Sequence, residues 1–135
     1  MSVGELPQID VSEKAGVRYL HFGTNSVQGA MRIRRPQALE LEYTRELLFP
    51  LLLNRSPDWP GRILQIGLGV GALARFLHRH FPGSTQDVVE LHPGVLAACQ
   101  HYFPLPPQSP RFRLHRGDGA EFLLLSQDRY DLILV

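Results

Sequence analysis

The sequence predicts an α/β protein built on an open parallel sheet, with a small β-rich extension before it. From Arg62 onward, four short apolar segments alternate with three helical ones, which is the pattern of strands joined by helical crossovers. A glycine-rich turn, residues 66–72, joins the first of these strands to its helix. Before this region, residues 17–22 alternate apolar and polar side chains as a half-buried strand does.

The N-terminal portion, residues 1–37, predicts a β-hairpin. Residues 17–22 form the first strand, residues 23–25 (Gly-Thr-Asn) supply turn chemistry, and residues 26–31 form the return strand. Pro36 closes this portion.

Residues 38–60 predict a helix followed by a linker. Between residues 38 and 53, apolar side chains recur at the three-to-four spacing of an amphipathic helix, namely Leu39, Tyr43, Leu47 and Leu48. Pro50 should kink or end that helix, because proline lacks the amide and clashes with the preceding turn. Residues 54–61 are rich in proline and polar residues and predict the linker.

Residues 61–135 predict the first half of a nucleoside-binding domain with parallel strands. The strands are expected at residues 62–66, 85–90, 112–115 and 130–135. The helices are expected at residues 69–80, 93–102 and 118–125. Strands that alternate with helices in this way are parallel and joined by right-handed crossovers.

Charge and composition exclude several classes of function. The net charge of +1 creates no general field for nucleic acid or anionic lipid. The single cysteine, Cys99, excludes an internal disulfide and is expected to be buried in a helix. The N-terminus lacks a signal-peptide pattern, and no segment approaches the about 20 apolar residues of a membrane span. We therefore expect a cytoplasmic protein that binds neither nucleic acid nor membrane.

The glycine turn predicts a close approach of backbone to ligand. Gly67, Gly69 and Gly71 permit positive φ and leave room that a Cβ would fill. The turn fits both nucleoside-binding and dinucleotide-binding folds, and a tight turn without a ligand is the alternative. Glu90 ends the next strand, where its carboxylate can accept hydrogen bonds from both ribose hydroxyls of a nucleoside.

A third loop narrows the ligand class. Asp118, between Gly117 and Gly119, can cap the next helix and can also accept a hydrogen bond from the exocyclic amine of adenine. A plain helix cap is the alternative. Because the carboxyl ends of parallel strands lie at one edge of the sheet, the three loops predict an adenosine-type ligand.

Together these segments resemble the spermidine synthase (polyamine aminopropyltransferase) family, whose members have the Rossmann-like fold of class I methyltransferases. The resemblance rests on Ser26-Val27-Gln28-Gly29, Leu41-Glu42-Tyr43-Thr44, the glycine turn, Val88 through Pro93, Pro110-Arg111, Gly117-Asp118-Gly119 and Tyr130 through Leu134.

This resemblance implies a transferase domain that uses decarboxylated S-adenosylmethionine, or S-adenosylmethionine, as its donor and needs no metal. It implies that Gln28 lies near the sulfonium side of the donor, Glu90 on the ribose, and Asp118 and Gly119 at the adenine. It also implies transfer of an aminopropyl group to a small-molecule acceptor such as a polyamine, and it is compatible with a homo-oligomer.

The acceptor side departs from the family pattern. Members that bind a diamine carry a histidine and then an acid after the helix tyrosine, and an aspartate in the glycine turn. Here Tyr43 is followed by Thr44 and Arg45, and the turn holds Val70. Since a dication needs acidic partners, two other functions stay open: methyl transfer from S-adenosylmethionine to an unknown acceptor, or a non-catalytic nucleoside-binding module.

The resemblance places the catalytic base beyond the chain. In the family, the fourth strand ends in the aspartate that acts as general base, and by that alignment it would follow Val135. Asp131 lies at the start of the strand and does not replace it. We therefore expect a C-terminally truncated domain, a fragment with no catalytic residue assigned, and leave open whether it is an enzyme.

Overall fold

The protein is described by a computed structural model that covers residues 6–23, 26–54 and 56–135. Thr24 and Asn25 of the predicted turn, and Arg55 of the predicted linker, lie outside the described residues. Two sheets are present in the described ranges, one antiparallel with three strands and one parallel with four.

The antiparallel sheet contains β1 (Ile9–Lys14), β2 (Val17–Phe22) and β3 (Ser26–Arg32) in that order. The prediction of β2 is confirmed, and β3 is one residue longer than predicted. β1 was not predicted, because its sequence, IDVSEK, is mostly polar and exposed. Its pairing with β2 creates the strand, and local propensity alone does not.

The predicted helix over residues 38–53 is wrong in extent. Two short helices are present instead, α1 (Glu42–Leu47) and α2 (Pro50–Leu53). Pro50 is the first residue of α2. At this position a backbone amide would have no hydrogen-bond partner within the helix, so proline is tolerated. Ahead of α1 the chain is not helical, and the Arg45 side chain donates to the carbonyl of Leu39 at 2.9 Å.

The parallel sheet confirms the predicted fold class. It contains β4 (Arg62–Ile66), β5 (Thr85–Glu90), β6 (Phe112–Arg116) and β7 (Leu132–Leu134), in the order β6-β5-β4-β7. β7 is shorter than the predicted strand over residues 130–135. Ahead of it, the Asp131 carboxylate accepts hydrogen bonds from the amides of Gly61 (2.7 Å) and Arg62 (2.9 Å).

Three helices follow the strands: α3 (Ala72–His80), α4 (Pro93–Tyr102) and α5 (Gly119–Leu125). The bounds of α4 are as predicted, whereas α3 begins later than residue 69 because Gly69 and Gly71 have positive φ. Cys99 is buried in α4, as expected. The division of the chain at residues 37 and 60 stays a prediction.

The strand order places the ligand edge of the sheet. From β4 the chain runs outward through β5 to β6 and then returns to the other side of β4 for β7, so the strand order reverses between β4 and β7. Open α/β sheets bind ligands at the carboxyl ends of the strands at such a point. The loop after β4 and the residue that ends β5, Glu90, both lie at this edge.

A buried carboxylate connects β5 to β6 and to the segment before β7. Asp87 of β5 is 5% exposed and accepts hydrogen bonds from His115 Nε2 at 2.8 Å and the Tyr130 hydroxyl at 2.9 Å. Arg113 Nε lies 3.1 Å from Asp87 Oδ1. Burial by itself raises the pKa of Asp87, but the two hydrogen bonds and the Arg113 cation outweigh it, so the pKa falls below its ordinary value.

This lowered pKa predicts an acid-dependent contribution to stability. The ionised carboxylate stabilises the folded state at pH values above the unfolded pKa of about 3.9, and the contribution is lost as the pH falls through the lower folded pKa. We expect Asp87→Asn to be destabilised at pH 7 and to approach the wild type below about pH 4. Urea unfolding from pH 3 to 7 measures this, with exposed Asp58→Asn as control. A pH-independent difference would contradict it.

Candidate functional site

A cavity of about 390 Å³ lies at the ligand edge of the parallel sheet. It brings together residues from β3, α1, the loop after β4, and the ends of β5 and β7. Predicted site residues that line it are Gln28, Tyr43, Thr44, Gly67, Gly69, Val70 and Glu90. Leu134 of β7 and the following Val135 also line it.

The glycine turn is held by protein donors on its carbonyl side. Each carbonyl from residue 67 to residue 70 accepts one hydrogen bond: Gly67 from Gln65 Nε2, Leu68 from the Gly71 amide, Gly69 from the Cys99 thiol, and Val70 from Arg75 Nη1. On the other side, the Gly69 amide has no acceptor among the described residues. The carbonyls of the turn are therefore satisfied within the protein, and the Gly69 amide is left for a ligand.

Arg75 joins the turn to two other loops. Its guanidinium is buried and also donates to the carbonyls of Pro36 at 2.9 Å and Pro104 at 3.0 Å. Burial of this cation lowers its pKa to about 10. Burial also raises the pKa of the Cys99 thiol to about 12, so this thiol is a neutral donor at physiological pH.

Glu90 is coupled directly to the glycine turn. One carboxylate oxygen accepts from the Leu68 amide and the other from the His92 amide, both at 2.9 Å. These two hydrogen bonds fix the carboxylate at the wall of the cavity. Each oxygen keeps lone-pair capacity for a further donor, which is what two vicinal hydroxyls require.

The N-terminal sheet forms another wall of the cavity. A Cβ added at Gly29 would lie 2.7 Å from Val70 Cγ1, so β3 packs directly against the glycine turn. The neighbouring Gln28 side chain donates to Ser26 Oγ at 2.9 Å. Tyr43 of α1 donates weakly to the Gln28 carbonyl at 3.4 Å, and burial raises the pKa of its phenol.

Three predicted site residues do not line the cavity. Gly71 caps α3 on the far side of the turn, with φ of 75°. Asp118 caps α5, because its Oδ1 accepts from the Glu121 amide at 3.0 Å. A Cβ at Gly119 would overlap Ile66, which separates this loop from the turn and itself lines the cavity.

One residue of the site was missed by the sequence analysis. Gln65 of β4 is 5% exposed and lines the cavity. Its Nε2 donates to the Gly67 carbonyl at 3.0 Å, whereas its buried Oε1 has no partner among the described residues. The signal available was a polar residue inside an otherwise apolar strand core, directly before the glycine turn.

Two features are absent from residues 6–23, 26–54 and 56–135. No group of three or more His, Cys, Asp or Glu side chains there could hold a metal ion. No helix in these ranges combines the length and the apolarity that crossing a membrane requires.

Comparison with known sequences assigns most of the chain to one family. Residues 43–135 match the family described as spermine/spermidine synthase domain. A curated polyamine aminopropyltransferase of Chromobacterium violaceum is 35% identical over 134 residues, which are 99% of this chain and 50% of that protein. The chain thus spans about half the length of this relative.

Comparison with solved structures gives the same fold. A probable spermidine synthase of Corynebacterium glutamicum has a TM-score of 0.68 at 22% identity, over 84% of this chain and 42% of that one. Human methyltransferase-like protein 13, solved in complex with SAH, has a TM-score of 0.59 at 34% identity, over 69% of this chain and 46% of that one. The first likeness supports the Rossmann-like fold.

Proposed function

The chain belongs to the spermine/spermidine synthase family, and from this membership we propose that its cavity binds the adenosyl part of an S-adenosyl sulfonium donor for group transfer. The observation that carries the proposal is the coupling of Glu90 to the glycine turn through the Leu68 amide. A carboxylate fixed in this way presents two acceptors beside a backbone that approaches without side chains, as a ribose requires.

The other residues predicted to contact the donor are assigned to positions around Glu90 and the glycine turn. We assign the adenine to the loop of Asp118 and Gly119, which lies behind Ile66 at the same edge of the sheet. Asp118 uses Oδ1 as a helix cap, so its second oxygen can accept from the adenine amine. Gln28, on β3 across the cavity, is assigned to the sulfonium side of the donor.

The chemistry of such a donor is displacement at a carbon bonded to the sulfonium sulfur. The lone pair of an attacking amine forms the new N–C bond, the C–S bond breaks, and its electron pair neutralises the sulfur to a thioether. The proton lost by the amine passes to a general base. The described residues of the cavity supply positioning for this step, and no base is assigned among them.

Two transfers use this chemistry. Aminopropyl transfer from decarboxylated S-adenosylmethionine to a polyamine is supported by the 35% identity to a curated aminopropyltransferase. Methyl transfer from S-adenosylmethionine is favoured by the 34% identity to a methyltransferase-like protein solved with SAH. Product mass separates the two, since a methyl group adds less than an aminopropyl group. The cytoplasm stays the expected compartment.

Isothermal titration calorimetry with methylthioadenosine tests the adenosyl site. We expect saturable binding, because this thioether contains the nucleoside and the sulfur common to both donors. Adenine without ribose is the control and should bind much more weakly, since it cannot reach Glu90. Absence of methylthioadenosine binding would refute the proposal, and binding without turnover of either donor would indicate a nucleoside-binding module.

A substitution at Asp118 separates its capping role from its role at the adenine. Asp118→Ser keeps a capping oxygen, so we expect its free energy of unfolding to stay within about 0.5 kcal/mol of wild type. The affinity for methylthioadenosine should nevertheless fall about tenfold, whereas the affinity for methylthioinosine, which lacks the amine, should not change. Calorimetry with both nucleosides measures this. Equal losses for the two would contradict an adenine contact.

A further inference from the structure

The ring of His92 forms a hydrogen bond at each of its two nitrogens. This residue directly precedes α4, and its Nδ1 accepts from the Gly94 amide at 2.8 Å. Its Nε2 lies 2.6 Å from the carbonyl oxygen of Pro7, which comes before β1. A carbonyl oxygen can only accept, so Nε2 carries the proton and Nδ1 carries the lone pair. Both hydrogen bonds therefore require one neutral tautomer of the imidazole.

The same ring is packed between the antiparallel sheet and the start of α4. It stacks on Phe22 of β2, with ring centroids 5.9 Å apart and ring planes at 28°. A Cβ added at Gly94 would lie 2.7 Å from His92 Cε1 and 2.9 Å from Ile9 Cγ1, so β1 is also in close contact. Packing as well as hydrogen bonding therefore fixes the position of the ring.

The backbone of His92 holds the carboxylate that we assign to the ribose. Its amide donates to Glu90 Oε2 at 2.9 Å, and the other carboxylate oxygen accepts from the Leu68 amide. The hydrogen bond from the Gly94 amide to the ring fixes the backbone of His92 in its capping conformation, with φ of −85° and ψ of 114°. One of the two anchors of the Glu90 carboxylate thus depends on the cap of α4.

Protonation of His92 would remove this cap. An imidazolium has a proton on both nitrogens, so Nδ1 would present a donor to the Gly94 amide, which is itself a donor. The added charge would also lie at the N-terminus of a helix of 10 residues, where the helix dipole disfavours a cation. The turn from His92 to Gly94 would then loosen, and the His92 amide would no longer be held against Glu90.

The charged groups on neighbouring elements do not compensate such a charge. Glu90 contacts the backbone amide of His92, and Asp10 and His21 lie on the face of the antiparallel sheet opposite to Phe22. No carboxylate in the described part of the chain forms an ion pair with the His92 ring. The charged or titratable side chains on the elements packed against His92 are Asp10, Glu13 and Lys14 of β1, Arg18, Tyr19 and His21 of β2, Asp87 and Glu90 of β5, and Cys99, His101 and Tyr102 of α4.

We propose that His92 is a positioning residue for the adenosyl site and that protonation of its ring weakens the binding of an adenosyl ligand. This inference rests on the proposed function and adds a control of the same site by pH. As the pH falls through the range in which imidazoles ordinarily gain a proton, the cap of α4 is lost. Glu90 then loses one of its two backbone anchors, and its affinity for a ribose falls.

Calorimetric titration of the unmodified chain with methylthioadenosine at pH 8 and at pH 5.5 tests the inference. This nucleoside does not change charge between the two pH values, and carboxyl groups ordinarily titrate below them. We expect the affinity to be about fivefold or more weaker at pH 5.5, as the loss of a helix cap implies. Equal affinity at both would overturn the inference and leave the adenosyl site intact. Absence of binding at both would refute the proposed function as well.

Three variants locate the pH dependence. His92→Asn keeps a capping oxygen that does not titrate, so it should bind within about twofold of wild type at pH 8 and keep that affinity at pH 5.5. His92→Ala has no capping acceptor and should be about fivefold weaker at both pH values. The matched control is His101→Asn, an exposed position of the same helix, which should keep the pH dependence of the wild type. An undiminished pH dependence in His92→Asn would overturn the role of His92.

Nuclear magnetic resonance of the ring nitrogens gives a test that needs no variant. At pH 8 the ¹⁵N signals of His92 should show Nε2 protonated and Nδ1 unprotonated, as the two hydrogen bonds require. Protonation of Nδ1 should follow the same pH curve as the loss of methylthioadenosine affinity. A ring that stays neutral while the affinity falls, or one that is protonated while the affinity is kept, would contradict the inference.

Discussion

Replacement of Glu90 by alanine is expected to weaken methylthioadenosine binding by about 100-fold or more. Hydrogen bonds to a charged acceptor contribute about 1.5–3 kcal/mol each, and a ribose would donate two of them to this carboxylate. The substitution also releases the Leu68 amide, which donates to Glu90 at 2.9 Å, so the turn keeps its hydrogen bond to the Val89 carbonyl but loses the one to Glu90. Both consequences act on the same ligand, which makes this the largest binding effect that we predict.

Calorimetry on three variants isolates the cause. Glu90→Gln keeps one carbonyl oxygen for a backbone amide and should lose less affinity than Glu90→Ala. Exposed Glu121→Gln, a carboxylate outside the cavity, should bind as the wild type does. Thermal unfolding shows whether each variant is folded at the temperature of the titration. Wild-type affinity in a folded Glu90→Ala variant would exclude Glu90 from the ligand site.

Gly71→Ala is expected to give the largest loss of stability among the turn variants, about 2–5 kcal/mol. The φ of 75° is left-handed, which costs an L-residue about 1–2 kcal/mol. A Cβ at this position would also overlap Leu105, which lies in the proline-rich segment 104–110 after α4, and would lie 3.1 Å from Arg75 Nη1. Overpacking of this kind adds about 1–3 kcal/mol unless the loop moves.

Two other glycines separate these contributions in urea unfolding. Gly67 has φ of 91° with open space around the added Cβ, so Gly67→Ala measures the backbone penalty alone. Gly83 has open space and no left-handed φ, so Gly83→Ala should change the free energy of unfolding by less than about 0.5 kcal/mol. If Gly71→Ala were no less stable than Gly67→Ala, the packing of the turn against Leu105 would contribute nothing to the free energy of unfolding.

The parts of the fold that were predicted correctly carry strong local patterns. The bounds of β2, β4, β5 and α4 match the predictions, since short strand segments bounded by turn residues and a proline at the first helical position are signals within a few residues. β1 was not predicted, and the helix before the linker was predicted to be too long. There, strand pairing in one case and a side chain bound to a backbone carbonyl in the other decide the conformation.

Some residues of the candidate site were likewise predicted from local sequence, and one was not. Glycines and an acid at strand ends predict a ligand edge without knowledge of the packing, and Gly67, Gly69 and Glu90 do line one cavity. Gln65 was not predicted, because its importance depends on which end of its amide the Gly67 carbonyl holds and on what is left buried. That information exists only once the strand and the turn are packed together.

The amino-acid sequence alone was enough to predict the fold class and the family, because strand and helix periodicity and the spacing of glycines and acids are local properties of the chain. Tertiary packing was needed to show that Gly71 and Asp118 do not line the cavity and that Gln65 does. The physical reason is that burial and hydrogen-bond satisfaction depend on residues far apart in the chain: β3 packs against the turn at Val70, and Arg75 ties that turn to Pro36 and Pro104.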